Sequence, residues 1–130
     1  MPIQISSFDH LVLTVADVAA TCVFYEKVLG MEVVVFDEGR TALSFGHQKI
    51  NLHQAGAEFE PRAMKAMPGS GDLCLISPTP VAEILEHLQE CGIEVIEGPA
   101  PKTGAVGPLI SVYFRDPDDN LIEVSNLVVD

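Results

Sequence analysis

His10, Asp72 and Glu123 are the residues whose types and positions could do chemistry together. Glu123 interrupts the apolar run Leu121-Ile122 and Val124, where an unpaired carboxylate carries a burial penalty of several kcal/mol. His10 and Asp72 hold the same place in an internal echo. Asp9-His10-Leu11-Val12-Leu13 is answered by Gly71-Asp72-Leu73-Cys74-Leu75, an offset of 62 residues. Gly30-Met31-Glu32-Val33-Val34 returns as Gly92-Ile93-Glu94-Val95-Ile96 at that same offset. A fixed-period echo through strand, helix and strand implies two copies of one supersecondary unit. Paired units form a cleft, and ionisable residues in the strands lining it become ligand candidates. Each candidate also has a plain reading. His10 could bond a backbone carbonyl, Asp72 could be a turn residue after Gly69-Ser70-Gly71, and Glu123 could sit on a wet strand face.

The elements that must position these residues follow from periodicity. Residues 8–15 read as a strand. A helix follows, with Asp17 as N-cap, Val18, Cys22, Tyr25, Val28 and Leu29 at helical spacing, and Gly30 as the C-terminal stop. Strands fit 31–37, 40–46 and 48–54, with turns at Glu38-Gly39 and Gly46-His47. The second half predicts a strand over 72–77 and an N-cap at Thr79 with Pro80 in the first helical position. Its apolar stripe is Val81, Ile84, Leu85, Leu88 and Cys91, ending at Gly92. Strands near 93–97, 109–115 and 120–125 complete a second βαβββ module. The chain therefore reads as one α+β domain over 1–130, with module 1 at about 8–54, a connector at 55–71 and module 2 at about 72–126. The connector and a Gly/Pro loop at 98–108 look like coverings over a site.

Composition narrows the function classes. A net charge of -12 with seven Lys and Arg speaks against nucleic acid and anionic membranes as partners. The start Met-Pro-Ile-Gln-Ile lacks the pattern of a signal peptide, and no apolar run reaches the roughly eighteen residues of a membrane span. Cys22, Cys74 and Cys91 have no Cys-x-x-Cys spacing and read as buried, reduced thiols of a cytoplasmic protein. His47 in a turn and His87 on a charged helix face read as solvent-exposed.

The paired modules, the Asp-His-Leu-Val-Leu opening and the closing run Phe114-Arg115-Asp116-Pro117-Asp118-Asp119-Asn120-Leu121-Ile122-Glu123-Val124 together resemble the vicinal oxygen chelate superfamily. That superfamily holds glyoxalase I, extradiol dioxygenases, methylmalonyl-CoA epimerase and the fosfomycin and bleomycin resistance proteins. The resemblance spans essentially the whole chain. Asp119 stands where family members usually have Gly, and Asp tolerates left-handed backbone.

The resemblance implies an open, cup-shaped half-barrel holding a divalent metal on His10, Asp72, Glu123 and a fourth residue in 48–54. Matching Ile50-Asn51-Leu52 to Ile122-Glu123-Val124 makes Asn51 the repeat equivalent of Glu123. His53 lies two residues on, facing the same way, and is favoured as the better ligand for a transition metal. Such a set suits Fe, Mn, Ni, Co or Zn. The implied chemistry is glyoxalase-like lyase or isomerase proton transfer on a small substrate with vicinal oxygens, with Glu123 or Asp72 as base.

Tyr113 lies ten residues before Glu123, the spacing of the tyrosine that bonds catecholate in extradiol dioxygenases, where His53 resembles the acid/base histidine. Asp72 departs from that pattern, because a histidine ligates there. Ring cleavage is thus an alternative, and a metal-free drug-binding module of the bleomycin-resistance type is another. Fosfomycin-type transferases are a further rival. Arg62, Lys65, Lys102 and Arg115 are cations that could grip an anionic substrate or stand solvated. A homodimer is expected.

Overall fold

Leu11, Leu13 and Val15 alternate with His10, Val12 and Thr14, and this period-2 pattern forms strand β1 (His10–Val15). The computed structural model describes residues 2–129, and the chain divides into two compact units, Met1–Met67 and Pro68–Asp130. In the first unit β1 is followed by α1 (Val18–Leu29), β2 (Glu32–Phe36), β3 (Arg40–Phe45) and β4 (Gln48–Gln54). The sheet order is β1-β4-β3-β2, with β1 parallel to β4 and the other pairs antiparallel.

Helix α1 begins where predicted. The Asp17 carboxylate accepts the Ala20 N–H at 3.1 Å, and Gly30, at φ 64°, donates its N–H to the Glu26 carbonyl. The helix packs on β2, β3 and β4 and buries Thr21, Tyr25 and Val28. Leu13, Val15, Leu43, Ile50 and Leu52 are the buried apolar residues of the sheet face that it covers.

The second unit repeats the order with β5 (Asp72–Ile76), α2 (Val81–Glu90), β6 (Glu97–Thr103), β7 (Pro108–Arg115) and β8 (Leu121–Leu127), in sheet order β5-β8-β7-β6. The βαβββ pattern therefore holds in both units. Its core includes Ile84, Leu88, Val112, Phe114, Ile122 and Val124. Among the described residues no helix is long and apolar enough to cross a membrane.

Four expectations need correction. Residues 93–96 form no strand, and the stretch read as a loop at 98–108 supplies β6 instead. Pro99 and Pro101 hid it, since proline reads as a strand breaker. β6 pairs only with β7, so it is an edge strand, and its register shifts between Glu97 and Ala100. Edges and bulges are the two places where a sheet accepts proline. At that bulge Gly98 takes φ 107°, and a Cβ there would strike the Ser111 carbonyl oxygen.

Second, Thr79 does not cap α2. Pro80 is the N-cap, and the Val81 N–H is met at 2.9 Å by the Asn126 side-chain oxygen. Third, no cysteine is buried: Cys74 is exposed, and Cys22 and Cys91 are half-buried free thiols. Finally, β1 starts at His10, leaving Phe8 and Asp9 outside it.

Candidate functional site

Each sheet has a second face, opposite its helix, and these faces carry the ionisable side chains. In the first unit the register pairs His10 with Lys49, Val12 with Asn51 and Thr14 with His53. Along β3, Ala42 stands opposite Asn51 and Thr41 opposite Leu52. Arg40 is next in that register, and its guanidinium Nη2 lies 3.2 Å from His53 Nε2.

The two candidate histidines of this unit differ sharply. His10 is exposed, and its Nδ1 lies 2.8 Å from the Asp9 carboxylate. His53 is 2% exposed and meets the Phe59 ring edge-to-face at 5.6 Å. They are four residues apart along the sheet, roughly 13 Å at the rise of a strand. Burial first, then the Arg40 charge, lowers the His53 pKa and favours the neutral ring, against weaker upward pulls from Glu58 and Glu60. A guanidinium has no lone pair to offer, so His53 Nε2 must accept and the ring proton must sit on Nδ1.

Arg40 is the side chain of this face that the sequence reading did not single out. Its guanidinium stands 4.7 Å from the Phe59 ring centroid and 5.4 Å from that of Phe36. The signal was available: Gly46-His47 is the turn between β3 and β4, and counting back from Phe45 opposite Gln48 places Arg40 opposite His53. By contrast, Arg62 is engaged by Glu60 at 3.0 Å and Lys102 by Glu97 at 2.6 Å.

In the second unit the register sets Cys74 opposite Glu123 and Ile76 opposite Ser125, with Tyr113 directly across from Glu123 on β7. Asn51 and Glu123 thus hold equivalent places in the two sheets. Ser111 donates to Glu123 Oε2 at 2.6 Å and stands 2.6 Å from the Ser125 hydroxyl, which lies 3.3 Å from the Cys74 thiol. The protons can run in one direction, thiol to Ser125 to Ser111 to carboxylate, so every donor finds an acceptor. Burial raises the Tyr113 pKa, and a hydrogen bond to Glu123 raises it further, which keeps the phenol protonated. Partial desolvation by its neighbours likewise pushes up the Cys74 thiol. Asp72, at the exposed start of β5, lies one residue pair along the same face.

The closing run sets this register. Asp116 Oδ1 accepts the Asp118 and Asn120 N–H groups, Asn120 Nδ2 donates to Asp116 Oδ2 at 2.8 Å, and Asn120 Oδ1 accepts the Gly71 N–H at 2.7 Å. Asp119 takes φ 64°, a left-handed conformation that Asp tolerates. Asp116 and Asn120 therefore pin the start of β5 to the start of β8. Among the described residues no three His, Cys, Asp or Glu side chains are grouped to hold a metal ion.

The model of the Glyoxalase/Bleomycin resistance protein/Dioxygenase superfamily matches residues 7–124. The chain belongs to this superfamily. It is similar to the glyoxalase domain-containing protein RDO1 of Mycosarcoma maydis, with 56% identity over 95% of this chain and 70% of that protein. It is also similar to virulence protein STM3117 of Salmonella typhimurium, at 52% identity over 95% of this chain and 86% of that protein. The crystal structure of STM3117 superposes with a TM-score of 0.96, covering 97% of this chain and 100% of that one. An integron cassette protein from the mobile metagenome of V. cholerae matches at TM-score 0.96 and 55% identity, over 98% of this chain and all of the other. Superfamily membership accounts for the duplicated βαβββ topology.

Proposed function

We propose that this protein catalyses proton transfer on a small substrate with vicinal oxygens, as a divalent-metal-dependent lyase or isomerase of its superfamily. The observation that carries the reading is the setting of Glu123, whose Oε2 is held by Ser111 at 2.6 Å while Ser125 approaches at 3.4 Å. One oxygen is thereby fixed and the carboxylate is aimed, with Oε1 left to take a proton from substrate.

The donor chemistry fits a metal. Asp9 beside His10 Nδ1 is the carboxylate–imidazole pairing that orients a ligating histidine and leaves its Nε2 lone pair outward. His10, Asp72 and Glu123 would hold the ion, and open positions would take substrate oxygens. His53 suits a different role, because its Nε2 is committed to Arg40. The ion, when bound, supplies Lewis-acid polarisation of the two neighbouring oxygens. Tyr113, kept protonated by desolvation and by its hydrogen bond to Glu123 directly across the sheet, helps to orient that carboxylate. A cytoplasmic homodimer belongs to the same reading, and sedimentation at several concentrations tests the dimer.

Elemental analysis of untagged protein, beside His10→Ala and Glu123→Ala, is the decisive test. Near one transition metal per chain, lost in both variants, supports the reading, and nickel, zinc, cobalt or manganese favours proton transfer. Iron together with oxygen-dependent turnover moves the assignment to ring cleavage. No metal after reconstitution overturns the reading and leaves a small-molecule binding module. With an active substrate in hand, Glu123→Ala lowers kcat by roughly 10²–10⁴-fold.

A further inference from the structure

We infer that the C-terminal turn of α2 is a binding site for a divalent cation of the zinc class, held by the His87 imidazole and the Cys91 thiolate. His87 Nε2 and Cys91 Sγ lie 3.6 Å apart. A tetrahedral ion about 2.3 Å from a sulfur and about 2.0 Å from a ring nitrogen holds those two atoms roughly 3.5 Å from each other. The pair therefore already stands at the separation such an ion requires. Helix geometry sets it there. The Cys91 N–H still bonds to the His87 carbonyl at 3.0 Å, and residues four apart rise on one helix face. Cys91 keeps right-handed helical backbone, and only at Gly92, with φ 72°, does the chain turn away.

The surroundings favour a cation over a plain thiol–imidazole hydrogen bond. Helix α2 carries Glu83, Glu86 and Glu90 and no Lys or Arg, and Glu94 follows it. Glu90, three residues after His87, lies on the same side of the helix and adds negative charge beside the pair. A helix C-terminus is also the negative end of the macrodipole, where a positive ion is stabilised. Sulfur and imidazole nitrogen select zinc-class ions over magnesium or calcium, which prefer oxygen. His87 is exposed and Cys91 half-buried, so water can fill the remaining coordination positions. On binding, the Cys91 S–H bond breaks, its proton leaves to solvent and the sulfur lone pair goes to the ion. The same four-residue spacing in α1 pairs Cys22 with Glu26. There burial, then the Glu26 charge, holds the thiol protonated, so the arrangement is particular to α2.

The site lies within the second unit and shares no residue with His10, Asp72 and Glu123, so it stands or falls apart from the metal-dependent reading. The test is titration of the full-length, reduced chain with Co²⁺, read by the thiolate-to-cobalt charge-transfer absorption and followed by displacement with Zn²⁺. One saturable band is expected, bleached by Zn²⁺. Cys91→Ser abolishes it. His87→Ala weakens binding about ten-fold or more, since losing a ligand costs at least as much as losing a residue that supports one. Cys22→Ser, Cys74→Ser, His10→Ala and Glu123→Ala keep the band. No band in the parent, survival of the band in Cys91→Ser, its loss in Cys74→Ser, or unchanged affinity in His87→Ala would overturn the proposal and leave a thiol–imidazole hydrogen bond. Should Cys91→Ser or His87→Ala fail to fold, NMR of the parent decides. The His87 ring and Cys91 Cβ resonances must then move saturably with Zn²⁺, and their silence overturns the site.

Discussion

The two sheets share one skeleton and register yet treat polar side chains in opposite ways. On the second, Cys74, Ser125, Ser111 and Glu123 form a chain in which donor meets acceptor throughout. On the first, Arg40, Asn51 and His53 leave three buried atoms unmet. Position 51 corresponds to 123, and 53 to 125, so the contrast comes from side chains alone. A duplicated module can thus keep its backbone while one copy builds a self-contained polar network and the other leaves buried polar atoms unmet.

The largest expected effect lies in the strand-pinning turn of the second unit. Asn120→Ala removes the acceptor of the half-buried Gly71 N–H and the donor to the buried Asp116 Oδ2, at a cost of about 2–4 kcal/mol. Urea denaturation would show it as a lowered midpoint at constant slope. The first unit has no such turn, and that asymmetry fails if Asn120→Ala is silent.

Helix capping sharpens the comparison next. Gln54 and Asn126 are repeat equivalents that reach across to the start of the helix in their own unit: Gln54 Oε1 accepts the Val18 N–H, and Asn126 Oδ1 accepts that of Val81. Helix α1 also has Asp17, whereas α2 has no side-chain cap from Pro80. Asn126→Ala should therefore cost about 2 kcal/mol and Gln54→Ala about 1 kcal/mol in the same assay.

The contrast between the two faces is tested most directly by apolar replacement. Ser111→Ala breaks a satisfied network and should destabilise by about 1–2 kcal/mol, while Asn51→Leu removes an unmet acceptor and should be neutral or slightly stabilising. Equal losses in both would mean that the first face is not unsatisfied.

The smallest effect is in pH. The folded chain holds the His53 pKa below its ordinary 6.5, so between those values the unfolded chain binds a proton that the folded chain refuses. This contribution to stability is complete above about pH 6.5 and is lost as pH falls towards the folded value. His53→Gln should flatten that part of the stability curve, measured by thermal melts from pH 7.5 downward.

Much of this was legible in the residues. The 62-residue echo gives the duplicated module, Asp17 and Gly30 bound α1, and the tolerance of Asp119 for left-handed backbone is met. These signals are short-range: periodicity, caps and turns act within a few residues, so a linear reading reaches them. Strand β6 escaped because an edge position and a bulge, both tertiary facts, make proline acceptable there. The capping of α2 escaped because its donor of oxygen, Asn126, lies 45 residues away.

By itself, then, the sequence determined the order and type of most elements, the family, and the roster of ionisable residues. Only the tertiary structure decided what those residues experience. His10 and His53 are the same residue type on the same sheet face, yet one is wet beside Asp9 and the other is sealed under Phe59 against Arg40. Desolvation and hydrogen-bond satisfaction depend on what covers a face and what stands across the sheet, and those neighbours are brought there by the fold.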